Sequence, residues 1–513
     1  MTQPRQSPPA FMRWLFLSMA ILISLAFGPS PQSATFTVES NLDEVDALPG
    51  DGVCASASGA CTLRAAVMET NALAGDDHIV VPPGLYPLTI EGPSEDGSAT
   101  GDLDILDNLS ISGSGMDMGA DGSYLNDRGL HVHPLVTLNL SGISLWYADA
   151  GTEVNGGGLL NEGTVSMVET SFQFNRARQG AGILNLGQMT ILRSVVGYNT
   201  AAESAGGIRN EGTLTIDQST IANNELLSGP AGGIDNFGSL ILRNSTVSQN
   251  RARNTVAGIL NHSSAALTIN NTTVNFNLVD PDGSGLPATG GVFNEDGGLT
   301  QISNSMVAIN EDNWELPSAD CYGTIVSGGY NLFGTLADCT LTGDTTGNLV
   351  GVDPLLPMLP TVDPAMTWGY PPLPGSPAIN AGNPAPPGSS ETACEVLDQR
   401  GYLRPIGVAC DIGAYESELG AQGTPSWTPA TSDTPTPTDT ASSTPSSTFT
   451  FTPTGTFGPA PFTPTGTLPT VTASATVTPS RTPTVTPTRT PTGTLSVTAT
   501  STPTLSPTST GTH

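Results

Sequence analysis

Four charged residues are the first place to look for chemistry in this 513-residue chain: Arg209, Asp217, Asp235 and Arg243. Cleavage of a glycan needs an acid, a base and charge-stabilising groups converging on one groove. Hydrolysis in particular needs paired carboxylates. Asp217 and Asp235 stand at different places in a repeated pattern, so shared action would need the fold to bring two patterns together. His131 and His133 stand two apart, on one face of a strand, where they would need a third ligand to hold a metal; an exposed pair of strand histidines is the alternative. His78 stands alone. Asp117-Met118-Gly119-Ala120-Asp121-Gly122 is an acidic turn without the 1, 3, 5 ligand spacing of an EF-hand loop. No phosphate-binding glycine loop and no Ser/His/Asp arrangement is found. No cofactor is expected beyond weak binding of calcium in loops.

Six cysteines form three local pairs: Cys54 and Cys61, Cys321 and Cys339, Cys394 and Cys410. An even count in an exported chain points to disulfides. Zinc is the rival, but no pair has Cys-x-x-Cys spacing and no histidine lies close.

The elements that must position these residues are written in a repeat. Six copies open on a small residue and glycine, then reach an Asn: Asn161, Asn185, Asn210, Asn236, Asn261 and Asn294. A second Asn follows in each: Asn175, Asn199, Asn224, Asn250, Asn277 and Asn310. The first five openings are spaced by 24, 25, 26 and 25 residues, and the sixth by 33, the excess falling in Asp280–Gly285. Three columns are apolar throughout. Two before the first Asn stand Leu159, Ile183, Ile208, Ile234, Ile259 and Val292. Met167, Ile191, Ile216, Leu242, Ile269 and Ile302 lie eight before the second Asn; Phe172, Val196, Ile221, Val247, Val274 and Val307 lie three before it. Each sits in an alternating run, which predicts three short strands per copy with one buried face. Such a unit closes no core alone and must stack. The fold class is therefore all-β: a parallel β-helix with three-strand rungs of about 25 residues. The Asn columns are expected at tight corners as structural ladders between rungs, with the left-handed backbone that Asn tolerates. Arg209 with Asp235, Asp217 with Arg243 and Glu225 with Arg251 fall at matching positions of neighbouring copies and read as solvated cross-rung pairs.

Around this array the chain divides into an export signal (1–34), an N-terminal cap (35–75), the β-helix (76–352), a C-terminal cap (353–420) and a Thr/Pro/Ser-rich stalk (421–513). Arg5 and Arg13 precede an apolar run, Trp14 to Phe27, that is too short to span a bilayer. One helix is predicted, with Thr62 as N-cap, Leu63, Ala66, Val67 and Thr70 on its apolar face, and Gly75 as the stop. It would cover the open end of the stack. The tail has too little apolar surface to fold and is expected to be disordered and extended.

The formal charge is −31, with no lysine, and all of it belongs to the part before the tail. This charge disfavours nucleic acid and anionic lipid as partners, and no nucleic acid is expected. No membrane span is expected once the signal is removed, and a monomer is the expectation.

Thr35-Phe36-Thr37-Val38 through Cys54, with Cys61-Thr62-Leu63-Arg64-Ala65-Ala66, resembles the N-terminal CSLREA domain of bacterial surface proteins, with Thr62 and Ala65 departing from the motif. Gly101-Asp102-Leu103-Asp104-Ile105 is familiar from the same proteins. The repeats resemble right-handed, pectin-lyase-like β-helices and the repeats of chlamydial polymorphic outer-membrane proteins, as in Phe172-Gln173-Phe174-Asn175. Ser376-Pro377-Ala378-Ile379-Asn380-Ala381-Gly382, Asp398-Gln399-Arg400-Gly401, Arg404-Pro405 and Cys410-Asp411-Ile412-Gly413-Ala414-Tyr415-Glu416 resemble the choice-of-anchor Q region. The resemblance implies a right-handed coil and a secreted or surface-displayed bacterial protein. It supplies no catalytic residues. The expected role is an adhesin or interaction scaffold binding an extracellular glycan or protein surface. The alternative is a polysaccharide lyase or glycoside hydrolase; lyases resembling this fold use calcium on clustered Asp with an Arg or Lys base. Contact is expected on irregular features: the Asp280–Gly285 insertion, the loops around Glu95 and Asp121, or outer strand faces.

Overall fold

A repeat in register must lay each strand beside its counterpart one copy on, and the computed structural model shows this pairing. It describes residues 33–93, 95–119, 125–253, 255–279, 289–312, 319–362 and 367–418. Of the two compact units, Met1–Thr428 and Pro429–His513, the second falls wholly outside the described residues, as do the Asp280–Gly285 insertion, Asp121, the stalk and nearly all of the signal.

Parallel pairing runs in three columns. In the first, Ile208–Asn210 lies between Ile183–Asn185 and Ile234–Asn236. In the second, Thr213–Asp217 lies between Gln188–Leu192 and Ser239–Arg243. In the third, Thr220–Ala222 lies between Val195–Gly197 and Thr246–Ser248. The predicted registers hold residue for residue: Ile191 opposes Ile216, which opposes Leu242. All eighteen residues of the three apolar columns are 0–1% exposed. The fold is an all-β parallel β-helix, and its rungs continue beyond the six clear copies, from Asp77–Val81 to Leu349–Val350.

A fourth, short strand per rung was not anticipated. Arg176–Gln179, Thr200–Ser204, Glu225–Leu226, Arg251–Ala252, Leu278–Val279 and Glu311–Asp312 pair in a sheet of their own. Its inward column is Ala177, Ala201, Leu226, Ala252 and Val279, all nearly fully buried in a small separate core. Alanine carries little strand signal, so the alternation passes unnoticed in the sequence.

The Asn columns are ladders, but not for the expected conformational reason. Each first Asn donates through Nδ2 to the Oδ1 of the next, at 2.7 Å from Asn161 through Asn261 and 2.9 Å from Asn261 to Asn294. The second ladder runs at 2.9 Å through Asn175, Asn199, Asn224, Asn250, Asn277 and Asn310. It ends on the Oδ1 of Asp320, also 2.9 Å away. None of the twelve has a left-handed backbone. In the second ladder that conformation belongs to the preceding residue: Phe174, Tyr198, Asn223, Gln249, Phe276 and Ile309 have φ between 54° and 60°. The left-handed residue turns the chain so that the following Asn side chain points inward. The glycines answer a different need. A Cβ on Gly207 would lie 2.5 Å from the Gly233 carbonyl oxygen and 2.9 Å from Asn224 Nδ2, inside van der Waals contact.

The helix Leu63–Ala72 starts where predicted, with Thr62 Oγ1 accepting from Ala65 N at 3.1 Å. It ends at Leu73, before Gly75. Arg64, fully buried, pairs with Asp43 at 2.6 Å. It also donates to the carbonyls of Ser98, Gly101 and Asp102, clamping the cap to the first rungs.

The expected C-terminal cap follows another course. Residues 367–418 lie along the flank of the coil, over the third column. Gln399 bonds Thr246 and Thr220; Asn270 and Asn271 bond the backbone at Ala393 and Asp411; Ala414 N donates to Thr273. Arg404, 5% exposed, is held by Glu416 at 2.9 Å and four carbonyls. All three cysteine pairs are disulfides: Cys54–Cys61, Cys321–Cys339 and Cys394–Cys410.

The columns make a direct prediction. Ile216→Asp buries an unpaired charge and prevents folding, whereas Asp217→Ala, on the outer face, changes stability by less than about 1 kcal/mol. Asn224→Ala breaks the ladder in its middle and costs on the order of 3 kcal/mol or more, because buried partners on both sides lose their bonds. Denaturant unfolding followed by circular dichroism checks all three, and a thiol assay on native protein should find no free cysteine.

Candidate functional site

The position between the first-column apolar residue and its Asn points outward and forms one stripe along the axis. Successive rungs place there Asp104, His131, Leu160, Leu184, Arg209, Asp235, Leu260, Phe293 and Tyr322. Beside it, directly after each Asn, stand Glu162, Leu186, Glu211, Phe237, His262 and Glu295. The other outward faces differ. The second column shows mostly Ser, Thr and Gln, such as Thr190, Thr215, Thr268 and Gln301. The third is overlaid by the C-terminal segment. The fourth-strand face carries charges such as Arg176, Arg178 and Glu203, but acid, base and aromatic side chains meet in one cluster on the first.

Asp235 centres one cluster. Its side chain is fully buried. His262 Nε2 lies 2.6 Å from its Oδ1, and Ser204 Oγ donates to its Oδ2. Arg209 Nη1 reaches Ser204 at 3.0 Å and Asp235 at 3.7 Å, while its Nε bonds Glu211 at 2.7 Å. His262 Nδ1 faces Glu295 at 3.2 Å. The Phe237 ring is sandwiched, with the His262 ring 3.7 Å from one face and the Arg209 guanidinium 4.3 Å from its centroid. Burial alone would lower the His262 pKa; the Asp235 bond and the charges of Asp235 and Glu295 outweigh it and raise it. The imidazole thus lies between two carboxylates that favour its charged form. The reading of Arg209 and Asp235 as a solvated pair is corrected here: they are in the predicted register, but the acid is buried and shared among three partners.

Asp217 and Arg243 also oppose each other, on the second column. Asp217 accepts from Asn244 at 3.1 Å, and Arg243 lies 3.8 Å from Glu395 of the C-terminal segment. Burial raises the Asp217 pKa. Among the described residues no hydrogen bond or ion pair links this pair to the Asp235 cluster, so the four candidates form two separate groups. Glu225 opposes Arg251 on the fourth strand.

A second cluster heads the stripe. His131 and His133 are not an exposed pair: His131 is 7% exposed, and both converge on the fully buried Asp104. His133 Nε2 bonds Asp104 Oδ1 at 3.0 Å. His131 Nδ1 lies 3.2 Å from the same oxygen but without the alignment of a hydrogen bond. Its Nε2 bonds Glu162 at 3.1 Å. Asp96 completes a set whose potential ligand atoms all lie within 4.8 Å of one another. Burial would lower the His131 pKa, but the close Asp104 carboxylate and the bond to Glu162 raise it. Burial would raise Asp104, but the two histidines and the Ser98 amide bring it down. Neighbouring Asp102 is pushed up to about 8 by burial and by the charges of Asp127 and Asp104. The Glu95 loop is organised by itself: Glu95 accepts from Ala99 N and Thr100 N at 2.6 and 2.9 Å. His78 bonds Ser112 at 2.7 Å.

Ser204, His262 and Glu295 were not singled out from the sequence, although the residue after each first Asn is legible there as a column. The partnership of Asp104 with His131 was not legible, because the early rungs vary in length.

Fold and site together define a parallel β-helix with one chemically dense outer face. No protein-family model matches the chain, and no curated protein matches it in sequence. Among solved structures, the chain is similar to the crystal structure of pectate lyase Pel9A: 14% identity, covering 76% of this chain and 97% of that one, with a TM-score of 0.40. At that distance no activity is carried over, and the fold rests on the strand pairing itself.

The His262 environment predicts a pH dependence. Its raised folded pKa gives stability that is fully present below the ordinary 6.5 and lost as pH rises through the folded value. The stability gap between wild type and His262→Asn should therefore be larger at pH 5.5 than at pH 9 (pH values chosen about the ordinary histidine range), measured by thermal unfolding. An unchanged or reversed gap contradicts the assignment.

Proposed function

We propose that the chain is an extracellular β-helical adhesin or interaction scaffold whose first-column face binds a neutral, extended glycan. The observation that supports this most is the contrast among three outer faces: the third column is covered by the chain's own C-terminal segment, the second is mostly Ser, Thr and Gln apart from Asp217 and Arg243, and the first carries Arg, His, carboxylate and aromatic groups in line. From Asp104 to Tyr322 the stripe spans eight inter-rung steps, roughly 38 Å at about 4.8 Å each. That length suits a chain of several sugar units. Half-exposed Phe237 and Leu186 offer apolar contact, and the fixed Arg209, Glu211 and Glu295 offer donors and acceptors to hydroxyl groups. A body this acidic penalises a polyanionic glycan, and the cations of the face are balanced locally by carboxylates. The disulfides agree with an oxidising, extracellular setting. Among the described residues no helix is long and apolar enough to cross a membrane.

The lyase or hydrolase alternative asks for a free base. Asp235 already binds His262 and Ser204, and both His262 nitrogens face carboxylates. A saturated cluster suits rigid presentation better than proton transfer.

The purified protein should retain one or more neutral glycans on a panel. Arg209→Ala and Phe237→Ala should each weaken that binding about tenfold or more, equivalent to about 1.4 kcal/mol, with the fold intact by circular dichroism. No unsaturated or reducing ends should appear. Release of such ends at useful rates would replace the scaffold reading by the enzymatic one.

A further inference from the structure

We propose that Asp104, His131, His133 and Asp96 form a binding site for one divalent transition-metal ion of the zinc class. The cluster goes beyond the glycan-binding reading and does not depend on it.

Geometry carries the argument. A tetrahedral ion with arms of about 2.0–2.1 Å keeps neighbouring ligand atoms about 3.3 Å apart. His131 Nδ1 and His133 Nε2 lie 3.2 and 3.0 Å from Asp104 Oδ1. Two edges of such a shell, both ending on Asp104 Oδ1, therefore already have nearly the required length. Asp96, on the solvent side, supplies the fourth corner from within 4.8 Å and has to close in by up to about 1.5 Å.

The second observation is the orientation of His131. The residue is 93% buried by its 7% exposure, and its Nδ1 has no aligned hydrogen-bond partner. Its polar neighbour is the Asp104 carboxylate 3.2 Å away, out of line for a hydrogen bond, so that the lone pairs of both groups can turn to an ion between them. The opposite nitrogen, Nε2, donates to Glu162 at 3.1 Å. An outer carboxylate holding the far N–H of an imidazole fixes the tautomer whose other lone pair faces inward, the arrangement seen behind metal-bound histidines. Asp104 is fixed too, its Oδ2 accepting from Ser98 N at 3.2 Å.

Donor chemistry selects the ion. Two imidazoles with two carboxylates suit zinc and its neighbours, whereas calcium and magnesium take oxygen shells. Binding would tie the 91–102 loop, through Asp96, to the first two rungs of the stripe, through Asp104 and His131. Asp96 would remain the exchangeable edge.

The test uses the full secreted protein without a histidine tag, stripped by chelator and titrated with Zn2+ against a chromophoric competitor. One equivalent should bind, with excess Ca2+ failing to displace it, and the unfolding temperature should rise with added Zn2+. His133→Ala, at the solvent side of the cluster, should weaken binding at least about 100-fold while the protein stays folded. Glu162→Ala, which touches no ion, should weaken it about 10–100-fold. His262→Ala should leave it unchanged. Absence of stoichiometric binding by folded wild type overturns the proposal. So does equal binding by folded His133→Ala, or loss of the site in His262→Ala.

Discussion

Everything in this structure depends on one requirement: each buried polar group of a rung must find its partner in the next rung. The coil has no other direction in which to satisfy it. Twelve Asn side chains, nearly all fully buried, are tolerable only because each amide passes a hydrogen bond along the axis. That requirement sets the register, because a rung shifted by one residue would orphan two ladders at once and turn three apolar columns outward. It also sets the glycines, which let carbonyls of adjacent rungs approach to distances no side chain permits. The second ladder ends on Asp320, whose carboxyl is pushed up to about 6 by burial, against the hydrogen bonds from Asn310 and Thr335. An acceptor is needed there because the repeat supplies no further Asn.

The same stacking explains where chemistry gathers. Identical positions of successive copies form a column, so a face acquires function only where the repeat lets a position vary. Inward positions stay largely apolar, and the second-column outer face is mostly Ser, Thr and Gln, with Asp217 and Arg243 as its charged pair. The position before each first Asn and the one after it vary freely, from Leu to Arg, Asp, Phe and His. The densest clusters lie at places where those substitutions fall side by side.

Much of the fold was legible in the sequence, and the reason is periodic burial. Ile191, Ile216 and Leu242 announced their column by type and spacing, and Thr62 announced the helix start. The misses have physical causes. Ala177, Ala201 and Ala252 bury a strand with side chains too small to signal one. The left-handed turn falls on Phe174 and Tyr198, residue types that give no hint of it. Arg64 and Arg404 read as motif residues, yet both are buried clamps on backbone carbonyls. The C-terminal segment binds Thr220, Thr246 and Asn270 from more than a hundred residues away, a contact no local pattern encodes. Of the candidate site, the facing of Arg209 and Asp235 was legible. The burial of Asp235 and its capture by His262 and Ser204 were not, since both depend on side chains that reach across columns.

The central claim is that the first-column face is the working surface. Another exposed feature competes with it: the stacked rings of Tyr147, Phe174 and Tyr198, with centroids 5.2 and 4.9 Å apart, at the corner after the third column. Hydroxyl-radical footprinting of the protein with and without its tightest-binding panel glycan separates the two most directly. Protection of Leu186, Phe237 and His262, with Tyr147, Phe174 and Tyr198 unchanged, is the result predicted here. Protection confined to the three stacked rings would contradict it.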